Sequence, residues 1–174
     1  MSGKVEIVSL AAPIADDALG ELADVLADCV AGGASVSFMA PFPSAQALAF
    51  FRKVEGSVAK GDTVLLAASL KGKIVGTVQL GLDTPPNQPH RAEIKKMLVH
   101  RRARGHGIGT ALMDVLIARG SALGKHVMVA GIDADNRGSI RMHERLGFEQ
   151  TGHLKEVGFK FGRWLDLVFM QRRL

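Results

Sequence analysis

The chain has one cysteine, one tryptophan and no tyrosine among its 174 residues. A single thiol, Cys29, excludes an internal disulfide, and a reducing, cytoplasmic compartment is expected. Cys29 falls in an expected helix beside Asp28, and a neighbouring acid disfavours the thiolate that a nucleophile needs. No long apolar run is present. The longest, Val64 to Leu70, is far too short to span a bilayer, so no membrane partner is expected. The first residues lack a basic segment followed by an apolar one, and no signal peptide is expected.

The same scarcity bears on the charge. A net charge of +5 and a pI near 9.7 suggest an anionic ligand. Aromatics make up 5% of the chain, too few to interleave with the basic residues as single-stranded nucleic acid requires, so no nucleic-acid partner is expected. Of the lysines and arginines from Arg91 to Arg119, only Arg119 lies beyond Arg104. Such clustering fits a compact anion. The six histidines show no ligand spacing for zinc. Asp133-x-Asp135-x-Arg137-Gly138 with Glu144 imitates a calcium loop, but Arg137 takes a ligand position and a strand precedes it, so no metal is expected.

What is present is a single domain over 1–174, long enough to bury a substantial core. A weak alternation over Met1 to Leu10 suggests a strand. Asp16-Asp17 opens a helix with Leu19, Leu22, Ala23, Leu26 and Val30 on one stripe, stopped at Gly32-Gly33. Ser44 is expected to cap a second helix through Ala59. Val64–Leu70 and Lys73–Leu82 read as a hairpin about Lys71-Gly72, followed by a loop with three prolines. Ala92–Val99 is a strand, Gly107 to about Leu123 a helix, His126–Ile132 a strand and Ser139–Leu146 a short helix. Two closing strands flank Gly162-Arg163. This order, β-α-α-β-β-β-α-β-α-β-β, describes an α/β fold: a mixed sheet with helices on both faces.

The most informative stretch joins the strand ending at Val99 to the helix after it: Arg101-Arg102-Ala103-Arg104-Gly105-His106-Gly107-Ile108-Gly109-Thr110. Alternating glycines bring backbone N–H groups close to an anion, and the helix start adds free donors and partial positive charge. A Walker loop is excluded because no lysine follows the last glycine. The glycine spacing and late position also exclude a dinucleotide fingerprint. Arg104-x-x-Gly107-x-Gly109 resembles the acyl-CoA pyrophosphate loop of the GNAT family of N-acetyltransferases. Asn136-Arg137-Gly138-Ser139-Ile140-Arg141-Met142-His143-Glu144-Arg145-Leu146-Gly147-Phe148 is similar to that family's second signature helix, at its usual spacing. The segment Ser139–Gln171 resembles phosphinothricin and methionine sulfoximine acetyltransferases. Gly32–Ala40 and Arg91–Ile94 resemble tabtoxin-resistance acetyltransferases instead.

The resemblance implies an acetyl-CoA-dependent transferase acting on the amine of a small amino-acid-like molecule, with antibiotic or toxin resistance as the setting and a homodimer as the assembly. The alternatives are acetylation of a protein N-terminus or lysine, and a non-catalytic acyl-CoA sensor. Acetyl-CoA is expected on Met97, Leu98 and Val99, on Arg104, Gly105, His106, Gly107, Ile108, Gly109 and Thr110, and on Asn136 and Ser139. Arg101 and Arg102 either approach the 3′-phosphate or are solvated. Glu93, eleven residues ahead of Arg104, matches the family's general base. His143 stands where most members carry tyrosine, either as proton donor to the coenzyme thiolate or as a structural residue. Phe38 is expected to wall the amine pocket, with Met39, Phe159, Phe161 and Trp164 as further candidates.

Overall fold

The computed structural model describes residues 3–174; Met1 and Ser2, the start of the first expected strand, lie outside them. The chain runs β1 (Val5–Leu10), α1 (Asp16–Ala31), α2 (Ser44–Ala59), β2 (Thr63–Leu70), β3 (Lys73–Gly81), β4 (Arg91–Val99), a 3-10 turn (Arg101–Ala103), α3 (Ile108–Ala122), β5 (Val127–Asp133), α4 (Arg137–Arg145), β6 (Glu149–Lys160) and β7 (Arg163–Arg173). The expected order is therefore present. Ser44, however, is the first helical residue and not the cap. Pro43 holds the cap position in extended geometry, and its carbonyl accepts from the N–H groups of Gln46 and Ala47. Proline lacks the N–H that would carry the helix further back.

One seven-stranded sheet joins every strand in the order β1-β2-β3-β4-β5-β7-β6. Only β4 and β5 are parallel. Two cores form on its two faces. On one, α3 and α4 cover Leu66, Val78, Leu80, Ala92, Ile94 and Met128; on the other, α1 and α2 cover Leu65, Ala67 and Ile74. The α1 stripe read from the sequence is buried throughout, joined by Val25 and Cys29. Phe51 anchors α2 in the same layer.

The site is created by an interruption in β4. Against β3, Thr77 pairs with Leu98 and Gln79 with Lys95, so β4 carries one residue more than β3 between these pairs. That is a bulge, and Lys96 within it takes a φ of 49°. Before the bulge Ala92 and Ile94 enter the α3/α4 core; after it Leu98 enters the α1/α2 core. Pairing with β5 covers only Arg91–Ile94 against Val127–Ala130. Beyond that point β4 stays with β3 while β5 follows β7, and the two strands part.

The loop leaving β4 is clamped to α1. Asp28 accepts from the Arg101 backbone N–H at 2.8 Å, and from its Nε and Nη2, each at 2.9 Å. Arg101, though half exposed, is thus engaged by Asp28 and not free for a phosphate. Burial works to raise the Asp28 carboxyl, but Arg101 and the neighbouring His100 together hold it below the usual carboxylate range. A depressed carboxyl stabilises the fold above its unfolded value, and the effect is lost as pH falls through the folded one. Asp28→Asn should lower unfolding free energy by about 1–2 kcal/mol at pH 7. In urea titrations the two proteins should converge as pH drops below about 4; a pH-independent gap would show that the charge is immaterial.

Candidate active site

Where β4 and β5 part, a cleft of about 610 Å³ opens, lined by Met97, Leu98 and Val99 on one side and by Asp133, Asp135, Asn136, Gly138, Ser139 and Met142 on the other. Gly32–Ser35 of the α1–α2 loop, with Arg104, Gly105 and Arg163, complete its rim. A smaller hollow of about 180 Å³ adjoins it, sharing Val99, Arg104, Gly105 and Met142 and reaching Gly107, Ile108, Gly109 and Thr110. Together they form one trough from the start of α3 along the free edge of β4.

The chemistry of this trough follows from the backbone. Gly105 and Gly107 adopt φ of 80° and 70°, which a side chain would oppose. They turn the chain so that α3 starts facing the hollow. The first bond near this start runs from Ala111 N–H to the Gly107 carbonyl at 3.0 Å. Ile108, Gly109 and Thr110 N–H groups therefore have no carbonyl one turn back, and no acid sits in the first turn to occupy them. Such an end binds phosphate groups. The β5-facing edge of β4 beyond Ile94 has no strand partner, so its peptide groups suit an extended, amide-bearing ligand. At its end, the Val99 carbonyl accepts from Arg104 Nε at 3.2 Å and from the Cys29 thiol at 3.4 Å. Burial pushes the Cys29 thiol up, away from nucleophilic character.

Asn136 caps α4, its Oδ1 accepting from Ser139 N–H at 3.1 Å, which leaves its side-chain NH₂ available to the cleft. His106 lines neither hollow; its Nδ1 lies 2.9 Å from the Arg104 carbonyl, folded onto its own loop. His143 is buried under the cleft floor, 2% exposed, edge-on to Phe148 with ring centres 5.1 Å apart. Its Nδ1 is 2.8 Å from the Ser139 carbonyl, an oxygen that can only accept, so Nδ1 carries the hydrogen. Burial lowers its pKa, the Ser139 carbonyl opposing weakly. The ring is then neutral at pH 7, and its buried, unpartnered Nε2 presents a lone pair. Such a ring accepts a proton or hydrogen bond and has none to give from Nε2.

Glu93 and Phe38 are not brought into the trough. Glu93 is four residues before Met97, about 13 Å along an extended strand, half exposed, with Lys95 Nζ 3.7 Å away. Phe38 packs on Phe42 and Phe50 in the α1/α2 core, with Lys96 Nζ over its ring at 5.5 Å. Its neighbours Ser37 and Met39 line a third cavity of about 310 Å³, with Val157, Phe159, Lys160, Leu165 and Asp166. Phe161 and Trp164 stand outside it, exposed on the β6–β7 hairpin.

Asp133 borders both this side cavity and the cleft, and the sequence reading missed it as a functional group. It accepts from the Ser35 hydroxyl and from Asp135 N–H. Its position was the available signal: it ends a parallel strand, where ligands of α/β sheets bind. Nearby, Arg163 closes on Asp135 at 2.5 Å at the rim.

A glycine-cradled helix start beside an unpaired strand edge suits a ligand that carries both phosphate groups and an extended, amide-bearing arm. The chain belongs to the acetyltransferase (GNAT) family, whose model matches residues 33–148. It is 37% identical over 169 residues to an L-methionine sulfoximine/L-methionine sulfone acetyltransferase of Pseudomonas paraeruginosa, covering 95% of this chain and 96% of that one. Among solved structures, a ribosomal-protein-alanine N-acetyltransferase from Brucella melitensis superposes with a TM-score of 0.84 at 32% identity, covering 97% and 99% of the two chains. A phosphinothricin acetyltransferase from Sinorhizobium meliloti, in complex with acetyl-CoA, gives 0.80 at 29% identity, covering 100% and 89%.

Gly107→Val places a β-branched residue at a φ of 70°, at a cost of about 1–2 kcal/mol. Calorimetric titration with coenzyme A should show affinity reduced at least about tenfold. Unchanged affinity would remove the loop from the site.

Proposed function

We propose that this chain transfers the acetyl group of acetyl-CoA to the α-amine of a small amino-acid-like molecule. One observation carries the reading: the coenzyme trough and a 310 Å³ side cavity meet at a single carboxylate, Asp133. When bound, acetyl-CoA supplies a thioester whose carbonyl carbon is the electrophile. Ile108, Gly109 and Thr110 N–H groups, with Gly105, Gly107 and Arg104, hold its pyrophosphate. The Met97–Val99 edge and Asn136 hold its amide-bearing arm, and β4 N–H groups at the bend polarise the thioester carbonyl. Ser139 borders the same arm from the α4 side.

The acceptor amine approaches from the side cavity, its ammonium drawn to Asp133. Attack requires loss of a proton from that ammonium. Glu93, too far along β4 for direct contact, takes it through bridging water, and Lys95 Nζ stands 3.7 Å from its carboxylate. His143, neutral and with a free Nε2 lone pair, steadies α4 beneath the cleft and is proposed as an acceptor, not as the donor to the thiolate. Phe38 backs the Ser37–Met39 wall.

The family relatives named for methionine sulfoximine and phosphinothricin support a toxin-like amino acid as acceptor and resistance as the setting. The exposed apolar row of Leu154, Val157, Phe159, Phe161 and Trp164 on the hairpin supports a homodimer. No helix is long and apolar enough to cross a membrane, and the lone buried thiol suits the cytoplasm. The Brucella neighbour favours a protein N-terminus as the second reading.

Thiol release from acetyl-CoA should be measured against L-methionine sulfone, methionine sulfoximine, phosphinothricin, the common amino acids and an alanine-initiated peptide. Turnover on L-methionine sulfone and methionine sulfoximine is expected. Turnover on the peptide alone would install the second reading, and coenzyme binding without any turnover would make the chain a sensor. Glu93→Gln should lower kcat by about a hundredfold; an unchanged kcat removes Glu93 as base. Asp133→Asn should raise the acceptor KM by about tenfold or more and leave that of acetyl-CoA unaltered. A shift in both would mean that Asp133 shapes the trough and does not bind the amine.

A further inference from the structure

Lys160, the last residue of β6, is only 3% exposed, yet no carboxylate of the described residues lies within 4 Å of its ammonium. Two of its three N–H donors are engaged, by the Ala34 carbonyl at 2.6 Å and the Val36 carbonyl at 3.4 Å. The Phe161 ring lies 5.1 Å away on another side. Carbonyls and a ring face satisfy hydrogen bonds but leave a net charge buried, and buried lysines are rarely left without a counter-ion. Burial pushes its pKa down.

This cation lines the side cavity proper. Two acids share that cavity. Asp166 is matched, by His153 Nε2 at 2.8 Å and by Glu156 N–H at 2.9 Å. Asp133, on the border with the coenzyme cleft, accepts only neutral donors and has no basic side chain within 4 Å among the described residues. The cavity therefore holds one unbalanced cation and one unbalanced anion, with Met39, Val157, Phe159 and Leu165 as apolar wall between and around them. Its complement is a zwitterion with a separate uncharged, largely apolar arm.

We propose that Lys160 is the specificity-determining residue for the acceptor's α-carboxylate, so that the enzyme selects free α-amino acids with uncharged side chains over amines and peptides. The inference rests on the acetyltransferase reading. With the ammonium at Asp133, next to the thioester, and the carboxylate at the Lys160 end, a free amino acid neutralises both groups. A peptide N-terminus offers an amide at that point and leaves the lysine unbalanced. Lys160 also fastens the Ala34–Val36 loop, so substrate recognition and wall geometry act through one side chain.

The test compares L-methionine sulfone, its methyl ester and 3-(methylsulfonyl)propan-1-amine as acceptors for the native enzyme, Lys160→Met and Lys160→Arg. The native enzyme should prefer the free acid by about a hundredfold in kcat/KM. Lys160→Met should bring acid and ester together by depressing the acid far more than the ester, and Lys160→Arg should keep part of the preference. An equal fall for both acceptors in Lys160→Met would mean that the lysine only fastens the loop, and would overturn the proposal. So would a native enzyme that treats acid and ester alike. Should no amine be acetylated, the transferase reading fails on its own. Calorimetric binding of N-acetyl-L-methionine sulfone and its methyl ester then decides the Lys160 inference separately, since the acid must bind more tightly to the native chain and lose that advantage in Lys160→Met.

Discussion

The parting of β4 from β5 is the constraint on which the rest of this structure depends. At the Lys96 bulge the parallel pairing ends at Ile94–Ala130, and a strand edge is exposed in the interior of the sheet. An unpaired edge within a core is normally costly, because each peptide group removed from water without a partner costs about 1–3 kcal/mol. Here the edge faces a cleft, so solvent or ligand can satisfy it. The same bulge moves Leu98 across to the α1/α2 layer and thereby keeps both cores filled on either side of the opening. Loop, cleft and side cavity are all referred to this one displacement.

Charge is distributed with equal economy. Two arginines of the basic cluster that stands out in the sequence are used within the fold: Arg101 fastens the loop to Asp28 and Arg104 Nε holds the Val99 carbonyl, while outside the cluster Arg163 closes on Asp135. The attraction for the coenzyme's phosphates therefore comes mainly from peptide dipoles at the start of α3, which are fixed in direction and need no side-chain ordering. The acceptor side differs. It relies on two side-chain charges held apart, Asp133 and Lys160, each shielded from solvent to a different degree.

The legible parts of this protein are those written in local spacing. The α1 stripe, the hairpin at Lys71-Gly72 and the glycine run before α3 each depend on residues a few positions apart, and each was readable. The turn and helix start proposed for the coenzyme are adjacent in the chain, and all of their expected residues except His106 line the trough. The acceptor side was not readable. Lys160 reaches a loop 124 to 126 residues away, and Ser35 meets Asp133 across 98; no periodicity encodes such meetings. The resemblance implies Phe38 as a pocket wall; its ring stacks on Phe42 and Phe50, and its neighbours Ser37 and Met39 line the side cavity. His143 is buried, and the hydrogen-bond partner that fixes which of its nitrogens holds the proton is a backbone carbonyl that no side-chain pattern encodes.

Hydrogen exchange of individual backbone amides, read by NMR with and without coenzyme A, tests the central claim most directly. Ligand should slow exchange at Ile108, Gly109 and Thr110 and along Met97–Val99, with the β1–β2 edge unchanged. Protection confined to other elements, with these two segments exchanging as before, would contradict the account of a strand edge and a helix start that jointly hold the acetyl donor.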